Sequence, residues 1–327
     1  MNDLFEFQER EAETQRREER IANMQNHAPG WVSATTVERY RTREEWLAAR
    51  RTFIGASESA ALFGCGYASQ SPITVYESKV NGTADESERQ ALRIGQMMEP
   101  ALRRLFSEVT GLSCVKAGRY VVRRHPLHPW IGATLDAMTE DPEPVPVELK
   151  NVGHFNKRDW DDEPPLKFAI QLQHQLAVTG ASHGYLFALI GGNEPVVKRM
   201  DRNERFIEAM IARLNAFWGL VQMRVLPEVD SSEATTKALV RLFDEEEGSE
   251  TFLPDEAVEW TETIENARQQ IKSLESIKDA AENKLRASIA EYSYGILPDG
   301  SRWQWKTQAR RGCEVKPSST RILRKVK

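Results

Sequence analysis

Cysteine is scarce in this 327-residue sequence: three residues, Cys65, Cys114 and Cys313, lie far apart and form no CxxC pair. An odd number without metal-ligand spacing argues against a disulfide framework and against a zinc site, and points to free thiols in a reducing cytoplasm. Long apolar runs are also missing. None approaches the roughly 20 residues that cross a bilayer, and the opening stretch MNDLFEFQEREAETQRREER is charged with no apolar segment, unlike a secretory signal. Excess positive charge is missing too, since 44 Lys and Arg stand against 49 Asp and Glu for a net charge of −5. That balance does not by itself suggest a nucleic-acid binder. Net charge is a whole-molecule sum, however, and a basic groove beside an acidic centre needs only a local surface. An apolar content of 40% suffices for a core, and the length suits one large domain or a domain with an appendage.

The most informative stretch is TLDAMTEDPEPVPVELKN, residues 134–151. Asp136 closes an apolar run, a Pro-rich turn follows, and PVPVELK reads as a strand. Strand side chains alternate in direction, so Glu148 and Lys150 share one face and Leu149 points to the other. A hairpin would bring Asp136 beside Glu148. Two carboxylates so close repel each other unless a divalent cation lies between them, and a lysine on that face could orient or activate a water on the cation. These are the parts needed for metal-assisted phosphodiester hydrolysis. An acidic residue, a spacer and ExK also arise by chance in a solvated hairpin with an ordinary ion pair.

The flanking sequence supplies the remaining elements. Residues 1–27 read as a charged helix or a loosely attached arm. Thr42 and Glu45 have capping-box spacing for a helix ending near Arg50. In RRTFIGASE a Gly55-Ala56-Ser57 turn runs into a helix whose N-terminus, with Ser57, Arg50 and Arg51, could hold an anion, or Ser57 could simply cap the helix. A helix over 71–82 follows. The strongest helical periodicity runs through LRIGQMMEPALRRLF to Gly111, with Glu99 inside its apolar sector, where a carboxylate needs a partner. His125 and His128 flank prolines in an expected polar turn. Gln171 and Gln175 share one face of the next helix, suited either to a neighbouring carboxylate or substrate or to solvent. GYLFALIGG is continuously apolar, as in an inner strand, and residues 203–224 form an amphipathic helix. Beyond a boundary near 227–230, an acidic linker is expected up to 254. A long helix then carries Ile264, Ile271, Leu274, Ile277 and Leu285 at heptad-like spacing, as in a coiled coil or helical hairpin. The tail from Ser301 holds nine Lys or Arg against Glu314 alone. Its Trp303 and Trp305 suit either nucleic acid or a small packed hairpin.

Taken together, these motifs resemble the family of YqaJ-like viral recombinases and phage lambda exonuclease, within the PD-(D/E)xK nuclease superfamily. The likeness runs from about Arg50 to Gly219: RRTFIGASE, the Glu99 helix, TLDAM, VELK, IQLQHQL and GYLFALI occur in the family's order. It departs from related patterns at Leu135, where proline is usual before the acidic residue, and at Gln175, where the related QxxxY motif has tyrosine.

The resemblance implies a three-layer, restriction-endonuclease-like α/β core with a mixed central sheet over residues 31–228. A charged arm (1–30), an acidic linker (229–254), a long helix (255–294) and a small basic β-like tail (295–327) would complete the chain. The helix over 79–110 would cross the sheet and bring Glu99 to the acidic cluster. The resemblance further implies that Glu99, Asp136, Glu148 and the Leu149 carbonyl hold Mg²⁺ or Mn²⁺, that Lys150 positions the attacking water, and that Gln171 supports it. Arg50 or Arg51, Ser57 and Thr134 would contact the 5′-phosphate, and Leu92 would wedge apart the terminal base pair. The implied activity is 5′-to-3′ digestion of linear duplex DNA, by a ring-shaped homo-oligomer partnered with a single-strand annealing protein. The rivals are a structure-selective repair endonuclease and a non-cleaving platform for DNA ends or the annealing protein.

Overall fold

The computed structural model describes residues 35–82, 90–140, 143–243 and 247–307. The N-terminal arm and the basic stretch beyond 307 lie outside the described residues. The chain divides into two units, Met1–Phe243 and Asp244–Lys327.

In the first unit, strand β1 (Thr36–Arg39) leads to helix α1 (Arg43–Arg50), which starts at the expected capping box: Thr42 accepts from the Glu45 amide and Glu45 reaches back to the Thr42 amide. Strand β2 (Ile54–Gly55) runs directly into α2 (Ala56–Leu62), and α3 (Pro72–Val80) begins on Ser71 with proline at its first position. Helix α4 spans Gln90–Thr110 and stops at Gly111, whose φ of +75° suits glycine. Residues 79 and 80 therefore end α3, and the crossing helix does not start at 79 as the sequence suggested. Strands β3 (Cys114–Lys116), β4 (Val121–Arg124), β5 (Ile131–Ala133), β6 (Ala137–Thr139) and β7 (Pro146–Val152) follow. After a 3₁₀ turn at His154–Trp160 come α5 (Leu166–Thr179), β8 (His183–Ile190), β9 (Glu194–Asp201), α6 (Glu204–Met223) and α7 (Glu233–Leu242).

The central sheet has the order β3-β6-β7-β8-β9 and is mixed: β7 and β8 are parallel and the other pairs antiparallel. The apolar β8 is an inner strand, as its composition implied. On one face, Leu102 and Phe106 of α4 pack on Val147, Leu149, Phe187 and Leu189. On the other, Phe168 and Leu172 of α5 pack with Trp160 on Leu186, Ala188 and Ile190. The result is an α/β/α sandwich. Gly184 lets α5 approach, since a Cβ there would stand 2.8 Å from Leu172 and 3.0 Å from the Pro146 carbonyl. A second sheet, β1-β4-β5-β2, shares a core with α2, α3, α5 and α6.

The stretch expected to be a linker over 229–254 holds α7 instead. Ser232 caps it, and Arg241 makes a bidentate pair with Glu77 of α3 at 2.6 Å for each bond. The expected interruption is confined to its later part. The second unit contains α8 (Ala257–Ile289), close to the long helix foreseen, and an antiparallel hairpin of β10 (Tyr294–Ile296) and β11 (Arg302–Gln304). No helix among the described residues is long and apolar enough to cross a membrane.

Candidate active site

Hairpin β6–β7 has Ala137 opposite Val147 and Met138 opposite Pro146. The same register carries Asp136 to the ExK segment, where its Oδ2 accepts from the Leu149 amide at 3.0 Å. Alternation in β7 then divides the motif. Val147 and Leu149 enter the core beneath α4, while Glu148 and Lys150 turn toward α5.

Glu148 is 2% exposed and sits in a closed network. Lys150 Nζ donates to its Oε1 at 2.5 Å and Gln171 Nε2 to the same oxygen at 2.6 Å, while Gln175 Nε2 donates to Oε2 at 2.5 Å. Lys150 also donates to Gln171 Oε1 at 3.2 Å and lies 4.7 Å from the centre of the Phe168 ring. Charge-assisted bonds of this kind suit a buried carboxylate. One turn of helix separates Gln171 from Gln175, so α5 presents two amides to one carboxylate. The sequence offered both glutamines to a neighbouring carboxylate, a substrate or solvent, and both meet Glu148; a catalytic role was expected for Gln171 alone.

The electrostatics are those of crowded acids. Burial and the neighbouring Glu148 push the Asp136 carboxyl up to about 8, with Lys150 and the Leu149 amide opposing and Glu99 adding to the rise. Burial also raises Glu99, opposed by Lys116 and Arg103 and reinforced by Glu148. Burial alone would lower Lys150, but Glu148 beside it, with Tyr67 and Asp136, drives it above its ordinary value. Lys150 is therefore a fixed ammonium, suited to donating hydrogen bonds and holding charge rather than accepting a proton.

Asp136, Glu148, Lys150 and Gln171 are thus brought together as the sequence suggested. Glu99 influences both carboxylates, yet it belongs to α4, the layer on the opposite side of the sheet from Glu148. Among the described residues no three His, Cys, Asp or Glu side chains stand close enough to hold a metal ion together. The expected meeting of three carboxylates at one point is therefore not formed. The donor chemistry still fits a hard divalent cation: the acids are oxygen ligands, and burial together with their mutual repulsion lifts Asp136 far above its ordinary range.

The expected phosphate contacts need correction. Arg50 pairs with Glu58 at 3.1 Å and stacks over Trp46. Arg51 binds the α3 carbonyls of Val80, at 2.7 Å, and Lys79, so it ties α3 down. Gly55, not Ser57, is the N-cap of α2, and its amide already donates to Glu58 Oε2 at 2.6 Å. A carboxylate therefore occupies the helix start that was expected to attract an anion. Ser57 is the second residue of α2 and is half-buried. Thr134 accepts from Trp46 Nε1 at 3.3 Å. The side chain of Leu92 lies outside the described residues. His125 and His128 do form a turn: His125 Nδ1 accepts from the amides of Leu127 and His128, and burial drives its pKa down to about 3.

The fold is a mixed α/β/α sandwich that sets Asp136 and an ExK strand beneath a glutamine-bearing helix. Residues 45–182 match the YqaJ-like viral recombinase domain. The uncharacterized protein YqaJ of Bacillus subtilis (strain 168) is 26% identical over 264 residues, spanning 78% of this chain and 81% of its own length. Among solved structures, an alkaline exonuclease (LHK-Exo) from Laribacter hongkongensis matches at 20% identity and a TM-score of 0.48, covering 61% of this chain and all of its own. A phage-related exonuclease from Haemophilus somnus 129PT matches at 9% identity and a TM-score of 0.40, covering 58% of this chain and 96% of its own.

Proposed function

We propose that this chain is a divalent-metal-dependent exonuclease that digests linear duplex DNA 5′ to 3′ from 5′-phosphorylated ends, in phage-type recombination. The observation that carries this reading is the Lys150–Glu148–Gln171 network set beside Asp136, whose carboxyl is raised by burial and by its acidic neighbour. Asp136, Glu148 and the Leu149 carbonyl would hold Mg²⁺ or Mn²⁺. When bound, the metal supplies a polarised water and stabilises charge on the phosphate.

The chain's own residues do the rest. Lys150, held as an ammonium, donates to a water or a phosphate oxygen at the site. Gln171 keeps Lys150 and Glu148 in register through one bond to each. Arg50, Ser57 and Thr134 are the expected residues left to meet the terminal phosphate, and Arg50 would do so by exchanging Glu58 for it. A ring-shaped homo-oligomer and a single-strand annealing partner belong to the same reading.

One observation favours a second reading, a non-cleaving platform for DNA ends: both Glu148 oxygens are already occupied by amide or ammonium donors. The test is incubation of 5′-phosphorylated linear duplex and closed circular DNA with Mg²⁺, alongside Glu148→Ala. Loss of linear duplex alone, abolished in the variant, supports the exonuclease. Cut circles would point to an endonuclease, and end binding without cleavage to the platform.

A further inference from the structure

Helix α8 runs for 33 residues, about 50 Å at 1.5 Å per residue, yet Trp260, Ile264, Ile271 and Leu274 on it are between 42% and 65% exposed. Among the described residues of its unit, only its last turn is covered, where Ile289 is buried against Gly295 of β10. Helices of globular proteins draw most of their stability from a packed face, and among the described residues of its unit this apolar stripe has none.

The stripe follows a heptad. Counting Ile264 as position a, the a and d positions run from Ala257 to Ser288 without a break in register. The residues at these positions are complementary when the helix is laid against itself in reverse. Trp260 then meets Leu285, Ile264 meets Ala281, and Ile271 meets Leu274, so that large residues face smaller or equal ones. Lys278 meets Ala267, and its aliphatic stem can lie along the small residue with the ammonium in water. At the flanking e positions, Arg268 meets Glu275, and the twofold repeats that pair. Neither has an ion-pair partner among the described residues. A parallel pairing would instead set Lys278 against its own copy inside the seam, and Arg268 and Glu275 would not meet. The reversed register also centres on the midpoint of the helix, so its whole length overlaps.

We propose that α8 pairs with α8 of a second copy of this chain as an antiparallel two-helix coiled coil, with the twofold axis passing between Lys272 and Ser273. The paired helices couple two chains through a segment outside residues 45–182, independently of how the sandwich itself assembles.

The test uses the full chain and light scattering after size exclusion. The wild type is expected to be an oligomer at micromolar concentration, and Ile271→Glu/Leu274→Glu to lower its mass by at least half with unchanged far-UV dichroism. Arg268→Glu alone and Glu275→Arg alone should each weaken association about tenfold, since each turns two attractive contacts repulsive. The double reversal Arg268→Glu/Glu275→Arg should restore it. A monomeric wild type overturns the proposal, and covering of the stripe by another segment of the same chain would show itself that way. An unchanged mass in Ile271→Glu/Leu274→Glu also overturns it. Failure of the double reversal to restore association overturns the antiparallel pairing.

Discussion

Gln175 Nε2 donates to Glu148 Oε2 at 2.5 Å, so the second oxygen of the ExK glutamate is held by a residue one helical turn beyond Gln171. Gln175 is fully buried, and its own Oε1 lacks a partner among the described residues. The side chain is thus committed to Glu148 rather than to packing. Gln175→Leu should fold, since it removes one bond to a charged group and one orphaned acceptor together. It should nevertheless lower the nuclease rate about 10- to 100-fold, as loss of a group that orients a ligating side chain does. Gln175→Glu should do worse by adding a carboxylate against Glu148. Initial rates, with kcat and KM separated, measured beside thermal melts distinguish a positioning role from simple destabilisation.

Asp136 makes an opposite prediction for stability and activity. A carboxyl raised to about 8 binds its proton more tightly when folded than when unfolded. Its contribution to stability is therefore present below its ordinary pKa near 3.8 and is lost as pH rises through about 8. Asparagine can still accept the Leu149 amide bond and carries no charge toward Glu148. Asp136→Asn should accordingly be more stable than wild type in metal-free buffer at pH 8–9, by of order 1–4 kcal/mol, and inactive. Urea denaturation with chelator present gives the first result, and the linear-duplex assay gives the second.

The ExK hairpin was readable because period-two alternation forces Glu148 and Lys150 to one face whatever surrounds them. The three-layer core was expected from the resemblance that the ordered motifs carry, not from periodicity. What the sequence hid was long-range. Glu99 lies on the correct helix, but which side of the sheet that helix covers is decided by the packing of Leu102 and Phe106 against Val147 and Leu149. Arg50 and Arg51 looked free for phosphate until the fold set Glu58 beside one and the end of α3 beside the other. Helix α7 was taken for linker although Ser232 begins it with an ordinary cap, because its short apolar side acquires meaning only against α3.

Glu58 and Lys79 form the most buried ion pair in the described part of the first unit. They stand 2.6 Å apart, and the lysine side chain is wholly buried. Burial works to raise the Glu58 carboxyl, but Lys79 and Arg50 together hold it below its ordinary value. Glu58→Ala would strand an ammonium that keeps only the Arg50 carbonyl and the Phe53 ring nearby. Breaking one side of such a pair costs about 3–5 kcal/mol. The denaturation midpoint should fall accordingly, and Glu58→Ala/Lys79→Met should recover most of the loss. A fall of under 1 kcal/mol would mean that water reaches Lys79.

His174 sets the behaviour in acid. Its Nε2 lies 2.9 Å from the Gly132 carbonyl, which can only accept, so Nε2 carries the proton and Nδ1 accepts from the Ser59 hydroxyl at 2.6 Å. The ring joins α5, α2 and β5 only while neutral. Burial, partly offset by the Gly132 carbonyl and Glu58, lowers its pKa to about 4. Between about 4 and 6.5 the unfolded chain binds the extra proton and the folded chain does not. Stability is therefore full above 6.5 and declines as pH falls toward 4, by on the order of 1–3 kcal/mol from this ring. His125, lowered to about 3, acts in the same direction, whereas Asp136 acts against both by favouring the folded state in acid. His174→Gln should therefore be less stable than wild type at pH 7.5 but lose less between pH 7 and 5, with the remaining slope set by His125 and Asp136 in opposition. Urea midpoints at three pH values measure both slopes, and equal slopes in the two proteins would mean that the ring protonates without leaving its pocket.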